Sequence, residues 1–406
     1  MSGAASSQPQ PPQRRRRTNS SPMTAIDGLR LCAFFIFFVG HAFVMNMCQL
    51  AVCPWLKLIS PTLDRRFNQQ VERWFCTTLL VATRVWAPTN LVLTGDRDLV
   101  DGDSSSDAAT RNLSSLNDWF ASAIEHGCMV ISNHQTYFDW IIIWIVSYFV
   151  RCHGFMKIIL KAELKRVPVF GWGMYFLDFI FLKRKWADDK QTFKDHMQRI
   201  VAHEDPAWLL IFPEGTVICE KRTAISDKYA EKMGLRRPEH TLLPRVSGSR
   251  VCLSQLRPRI EYLYDLTIGY EGLKSGDIPE NEYGLVSMYG KCVYPREIHI
   301  HVKRYPVADI PDDEEGFSQW MHNVFVEKDK RMAKYYELGR FPHDSSEDSS
   351  IPADQPVMQL KWPAKPDSLL GEMLWMWAQF MAIMIPARYV IGTALSAITS
   401  VLAGIW

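Results

Sequence analysis

The 406-residue chain has nine cysteines but no Cys-x-x-Cys pair. They stand at positions 32, 48, 53, 76, 128, 152, 219, 252 and 292, without the cluster of soft ligands that a zinc site needs. Cys48 and Cys53 are close, but they lie in or beside an apolar stretch and read as small apolar side chains in a reducing environment. Net charge is also scarce: 46 Lys and Arg against 44 Asp and Glu leave +2, too little to argue for a nucleic-acid partner. No Gly-x-Ser-x-Gly elbow occurs, so the usual serine nucleophile of an α/β hydrolase is missing. The first apolar stretch does not have the short core and small-residue cleavage site of a secretory signal, so a cleaved signal is not expected.

What the chain does have is strong segregation. Residues 1–22 are rich in Ser, Pro, Gln and Arg and lack apolar periodicity, so the tail through residue 26 reads as disordered and basic. Its Arg14–Arg17 run is either solvated charge or a positive-inside determinant for the apolar stretch that follows. That stretch, Leu31–Leu58, is interrupted only by His41, Asn46 and Gln49 among strongly polar side chains before Lys57, and it is long enough to span a bilayer. Val71–Leu93 is apolar but carries Glu72, Arg73 and Arg84, which suggests a second helix lying in the interface or returning as a hairpin. Residues 27–95 are therefore expected to form the membrane anchor.

Residues 96–341 begin with a Ser-rich variable loop and then alternate between strand and helix patterns. The expected strands are Met129–Ser132, Phe155–Leu160, Phe179–Arg184, Trp208–Phe212, Tyr262–Tyr270 and Glu297–Val302, with helices such as Ile141–Val150 and Lys190–His203 between them. This predicts an α/β domain with a mostly parallel central sheet flanked by helices. Residues 317–338 have the spacing of an amphipathic helix packed on that domain. Residues 342–366 are polar, acidic and Pro-rich, as in a linker. Residues 367–406 are apolar again, broken near Pro386-Ala387-Arg388, and fit membrane-docking helices.

The first candidate chemistry lies in Ile131-Ser-Asn-His-Gln-Thr-Tyr-Phe-Asp-Trp140. His134 and Asp139 would point roughly 140° apart in one helix and to opposite sides of one strand, so they meet only across a strand-to-helix turn. The short apolar run before them and the long one after them supply that turn. It places His134 beyond a strand's carboxyl end, where open α/β sheets hold their ligands. Such a pair resembles two thirds of a serine-hydrolase triad, and a substrate hydroxyl can take the missing nucleophile's place, with His134 as base and Asp139 fixing its tautomer. By itself the spacing is equally met by a capping Asp and a surface His.

Two further stretches bear on this. Trp208-Leu-Leu-Ile-Phe-Pro-Glu-Gly-Thr216 is a buried strand running into a turn, where Gly215 lets backbone approach and exposed amides with the Thr216 hydroxyl suit an anion. Phe179-Ile-Phe-Leu-Lys-Arg184 ends in two cations, which strand alternation would put on opposite faces, so one of them reaches a given pocket. Arg is the better phosphate fork. His299 and His301 share a strand face in Glu297-Ile-His-Ile-His301, but no third metal ligand is in view, and no metal is expected. Lys221-Arg222 reads as a solvated pair or a contact to anionic lipid or CoA phosphate, and Met373–Trp377 as a membrane-interface stretch.

Together and in this order, these motifs resemble the glycerophospholipid acyltransferase family, whose signature is a His-x4-Asp block, an Arg-ended strand and a Phe-Pro-Glu-Gly-Thr block. The likeness is greatest to its lysocardiolipin and lysophosphatidylinositol branch. It extends through Lys161–Gly173, Arg184–Lys190, Ala230–Leu235, Leu243-Pro244-Arg245, Asp265–Ile268 and Tyr294–His299, or roughly residues 70–340. The resemblance implies that His134 deprotonates an acceptor hydroxyl with Asp139 in support. It gives Asn133, Lys183, Arg184, Glu214, Gly215 and Thr216 to substrate binding, with Pro244 in a fourth block near the acyl chain. Backbone amides near the first block are then the natural oxyanion donors. No cofactor is implied, and acyl-CoA is the co-substrate. The partners are a lysophospholipid and the bilayer of an intracellular membrane, most simply the endoplasmic reticulum or mitochondria-associated membrane. Val217 departs from members acting on lysophosphatidic acid, which often carry Arg there, and this favours a larger head group. The alternatives are a 1-acyl-glycerol-3-phosphate acyltransferase making phosphatidic acid, a hydrolase using water as acceptor, and a non-enzymatic lipid-binding protein.

Overall fold

In the computed structural model the described residues are 19–95, 118, 120–203, 205–342, 358–360 and 370–385. The basic run Arg14–Arg17 and the Pro386-Ala387-Arg388 break lie outside them.

The chain opens with helix α1, Ala25–Ile59. A capping box starts it: the Asp27 amide donates to Thr24 Oγ1 at 3.3 Å, and the Thr24 amide donates to Asp27 Oδ2 at 2.7 Å. It ends at Ser60, and Pro61 begins α2, Pro61–Trp86, at a position where the missing N–H costs nothing. The two helices pack as a hairpin.

The three polar side chains that interrupt the apolar stretch of α1 all turn inward. His41 Nδ1 lies 2.7 Å from Phe37 O, Asn46 donates to Val169 O at 2.6 Å, and Gln49 donates to Asn68 Oδ1 at 2.8 Å. Outward, Leu29, Ile36, Phe43 and Leu50 recur every seventh residue and are 45–76% exposed. A row of this kind is costly in water. Helix α1 is the helix, among the described residues, that is long and apolar enough to cross a membrane. The apolar half of α2 has a different explanation. Val71, Trp74 and Leu79–Ala82 are buried inside the protein, so core packing accounts for that composition.

The remaining elements are β1 (Asn90–Gly95), α3 (Ala121–His126), β2 (Cys128–Ser132), α4 (Asp139–Phe149), β3 (Met156–Lys161), α5 (Phe170–Phe176), β4 (Ile180–Leu182), α6 (Trp186–Ala202), β5 (Trp208–Ile211), α7 (Glu220–Met233), α8 (Val246–Leu256), β6 (Tyr262–Tyr270), α9 (Pro279–Glu282), β7 (Glu297–Pro306), α10 (Glu314–Leu338) and β8 (Met358–Leu360). A final helix, α11, covers Leu370–Ile385. The strands form one eight-stranded sheet in the order β4-β3-β5-β2-β6-β7-β1-β8. Pairing is parallel except between β6 and β7 and between β1 and β8, so the sheet is mostly parallel and mixed at one side. Alternation along β2 divides the core. Val130 faces the α1, α2 and α4 layer, while Met129 and Ile131 face α6, α8 and α10. Burial on both faces explains why β2 and β5 read as continuous apolar runs.

Three expectations need correction. The segment Asn90–Gly95, taken for the end of the second anchor helix, is strand β1 between β7 and β8. Thr89, held by the carbonyls of Ala87 and Pro295, marks the switch from helix to sheet. Strand β4 stops at Leu182, so Lys183 and Arg184 lie beyond it, and Arg184 takes φ 63°. The strand-alternation argument for those two cations therefore fails. Within the expected linker, Met358–Leu360 pairs antiparallel with β1. Helix α11 docks on the hairpin, with Met376 and Phe380 against Met45, Val71 and Trp74.

Helix α10 is pinned to the sheet by a buried pair: Lys328 Nζ donates to Asp265 Oδ1 at 2.5 Å and to Leu266 O at 2.6 Å, with the two side chains 0% and 1% exposed. Lys328→Met leaves the Asp265 carboxylate buried and unpaired and is expected to cost about 3–5 kcal/mol. Thermal or denaturant unfolding measures this, and Asp265→Asn added to Lys328→Met should recover part of the loss.

Candidate active site

The carboxyl ends of β2, β5 and β6 lie side by side, and the turns that leave them build the site. Strand β2 departs from the sheet at Asn133. Its side-chain amide takes over the ladder there, donating to Ile268 O at 3.0 Å and accepting from Ile268 N at 2.8 Å. Asn133 is fully buried in this role. The turn that follows brings His134 Nδ1 to 2.9 Å from Asp139 Oδ2, with the two side chains 15% and 0% exposed. The sequence-predicted pair is thus assembled across a strand-to-helix turn.

Asp139 does more than face the histidine. Its Oδ2 accepts the amides of Gln135 at 2.6 Å and Thr136 at 3.0 Å, and its Oδ1 accepts the hydroxyls of Thr136 at 3.2 Å and Tyr270 at 2.5 Å. With Nδ1 against a carboxylate, Nδ1 carries the proton of the neutral ring and Nε2 is the basic nitrogen. Among the described residues, Nε2 has no hydrogen-bond partner. Phe212 stacks on the ring at 4.1 Å and 15°, which fixes its plane.

Glu214 is buried as well. It accepts the His134 amide at 3.3 Å, and burial holds its carboxyl well above the usual carboxylate range. It lies beneath the histidine turn and supports it. The reverse link is Ile218 N–H donating to His134 O at 2.9 Å. The expected oxyanion donors also need correction. The amides of His134 through Phe138 all donate inside the protein: to Glu214, Asp139 (twice), Glu280 and Thr136 Oγ1.

Arg184 and Lys183 separate. Arg184 Nη2 donates to Gly215 O at 2.9 Å, whereas Lys183 is exposed and pairs with Asp188 at 3.8 Å. The left-handed backbone at Arg184 makes this possible by turning its side chain across the Glu214-Gly215-Thr216 turn. Gly215 itself has φ 69°. A Cβ on it would stand 3.2 Å from Cδ and Nε of Arg245, so that guanidinium stem lies directly over the glycine. Thr216 is half-buried beside them, and Pro244 is buried, one residue before Arg245 N–H donates to Pro213 O at 2.7 Å. Partial burial, then the charges of Arg245 and Arg222, pull the Arg184 guanidinium below its usual value. Arg184 and Arg245 thus meet over one glycine turn, and the charge of Arg222 also acts on Arg184, a concentration of cations that suits an anion.

Arg245 was missed as a site residue, although it stands in the quoted Leu-Pro-Arg stretch. Its loop is set by Asp329 of α10, whose carboxylate accepts the amides of Glu239, His240 and Thr241 at 2.7–3.2 Å. Tyr270 and Glu280 were missed too, and no local pattern announces either. His299 and His301 are packed beneath α10: His299 lies 5.4 Å from the Tyr335 ring, and His301 Nδ1 is 3.2 Å from Thr94 Oγ1.

The acyltransferase family profile matches residues 108–249, which hold the histidine, arginine and glycine turns, and an acyltransferase C-terminus profile matches residues 291–369. Similar proteins include an uncharacterised acyltransferase of Schizosaccharomyces pombe, 37% identical over 64% of this chain and 71% of its own length. Lysocardiolipin acyltransferase 1 of Mus musculus is 35% identical over 69% of each chain. The 2-acyl-1-lysophosphatidylinositol acyltransferase of Saccharomyces cerevisiae is 35% identical over 57% of this chain and 66% of its own. The chain belongs to the acyltransferase family.

Gly215→Ala tests the turn. It forces a side chain into left-handed backbone and against Arg245, at an expected cost of about 1–2 kcal/mol. Unfolding curves give the stability change, and a rise in the acceptor KM would report displacement of Arg245.

Proposed function

We propose that this chain transfers a fatty acyl group from acyl-CoA to a free hydroxyl of a lysophospholipid. The observation that carries this reading is the ordered His134–Asp139 pair, with Nε2 free, beside an arginine-lined glycine turn. Nε2 takes the proton of the acceptor hydroxyl as its oxygen attacks the thioester carbonyl carbon. The carbon–sulfur bond then breaks, and the imidazolium returns the proton to the CoA thiolate. Asp139 keeps the ring oriented and stabilises its charged form. The protein's own residues complete the proton cycle, with no further cofactor.

Arg184, Arg245 and Arg222 suit the phosphate of the acceptor's head group. Val217 is buried inside the turn, so the second cation over Gly215 comes from the later Arg245 and not from the residue after Thr216. This arrangement, with relatives named for lysocardiolipin and lysophosphatidylinositol, supports a phosphodiester acceptor over a bare phosphate monoester. The exposed apolar row of α1 and the exposed Leu370, Leu374, Trp375, Met381 and Ile385 of α11 support docking on a membrane, and the one proposed is intracellular, such as the endoplasmic reticulum. Lipid substrates then arrive from the bilayer and acyl-CoA from water.

Purified protein given labelled oleoyl-CoA should acylate lysophosphatidylinositol or lysocardiolipin faster than lysophosphatidate. A preference for lysophosphatidate would overturn the head-group assignment, and fatty-acid release without any lysolipid would reveal a hydrolase. His134→Ala should lower kcat by about a thousand-fold or more with the fold intact. Unchanged turnover in that variant would remove the imidazole from the mechanism.

A further inference from the structure

Helix α9, Pro279–Glu282, falls between the two matched spans, 108–249 and 291–369, yet it reaches the histidine turn. Its support is built into the sheet. Tyr283 is buried, its hydroxyl donates to Glu271 O at 2.6 Å, and its ring lies 6.0 Å from that of Tyr270. Tyr270 is the residue whose hydroxyl donates to Asp139. Helix α9 and the Asp139 carboxylate therefore rest on neighbouring tyrosines at the end of β6. From that position Glu280 Oε2 accepts the Tyr137 amide at 2.8 Å. The other amides from His134 to Phe138 find acceptors in the first and third blocks, and Tyr137 alone among them relies on a residue outside both. The Tyr137 ring in turn stands edge-on to His134 at 6.5 Å.

We infer that Glu280 is a positioning residue for acyl transfer: it fixes the Tyr137 amide, and with it the histidine turn, while its charge joins that of Asp139 in favouring the imidazolium formed as His134 takes the hydroxyl proton. This rests on the acyl-transfer reading of the site. Burial, then the charge of Asp139, raise the Glu280 carboxyl, while the Tyr137 amide and His134 act the other way. The groups facing His134 are Asp139 on α4, Tyr137 on its own turn, Glu214 after β5 and Glu280 on α9. Behind these stand Tyr270 against Asp139, Lys328 toward Glu214 and Arg184 toward Tyr137. Glu280 is the carboxylate of this set that neither contacts the ring nor lies beneath it, so its charge can be removed without dismantling the pair.

The test uses the full chain in detergent with oleoyl-CoA and lysophosphatidylinositol. Glu280→Gln keeps an acceptor oxygen for Tyr137 and removes the charge, while Glu280→Ala removes both. With less negative charge beside the site, the acid limb of the kcat profile should move about half a unit toward acid in Glu280→Gln. Its kcat above that limb should fall about three-fold, and that of Glu280→Ala about thirty-fold, with both KM values within about two-fold of wild type. The acid limb decides: if it is unmoved in Glu280→Gln, the proposal is overturned whatever happens to the rate. A kcat above wild type in either variant overturns it as well, since the carboxylate would then be masking a useful amide. Thermal unfolding of both variants separates misfolding from mispositioning, and a misfolded Glu280→Ala leaves the glutamine variant to decide. An inactive His134→Ala beside wild-type-like Glu280 variants sinks this inference alone, whereas an active His134→Ala sinks the acyl-transfer reading itself.

Discussion

The Asp139 carboxylate gathers a ring nitrogen, two backbone amides and two hydroxyls around one buried group. A carboxylate with no exposure needs such donors, because water is not there to replace them. The same bonds have a second effect. The amides of Gln135 and Thr136 belong to the turn that carries His134, so the group that orients the imidazole also shapes the backbone beneath it. Turn geometry and ring geometry cannot vary separately. Phe212 on the ring and Glu214 beneath the His134 amide tie the end of β5 into the same unit.

Charge and apolar surface are divided in a way that suits a reaction between a lipid and a water-soluble thioester. Arg184 and Arg245 meet over the Gly215 turn, where the glycine leaves room for them, and the repulsion between these cations is relieved by an anion. His41, Asn46 and Gln49 of α1 are turned toward the protein, where the helix's own carbonyl, Val169 and Asn68 meet them. Its outer face is left apolar. An isolated helix would gain nothing from this sorting in water, and the arrangement suits a helix with one face against protein and the other against a membrane.

The sequence told unevenly about these features, for physical reasons. His134 and Asp139 could be paired in advance because a short apolar run followed by a long one forces a strand-to-helix turn between them. Arg184 lies over the glycine turn, but not for the reason the strand pattern suggested. Strand β4 ends two residues earlier, and a left-handed residue does not obey strand alternation. Asn133 and Glu214 were recognisable as motif members, yet their work is to bond Ile268 and the His134 amide, contacts fixed only when distant strands pair. Tyr270 and Glu280 gave no signal, since a strand-end tyrosine and a glutamate in a one-turn helix look ordinary until the sheet brings them to the turn. The apolar half of α2 misled in the opposite direction: composition alone cannot tell a helix buried in lipid from one buried in protein.

Strand β1 follows directly on the helical hairpin and lies between β7 and β8. The anchor is consequently stitched into the sheet and is not a detachable stalk. Cutting the chain after residue 95 to obtain a water-soluble catalytic fragment would pull out an interior strand, bare the hydrogen-bonding edge of β7 and strand β8 without a neighbour. A soluble form of this protein has to come from repainting the outward rows of α1 and α11, with the hairpin and its strand left in place.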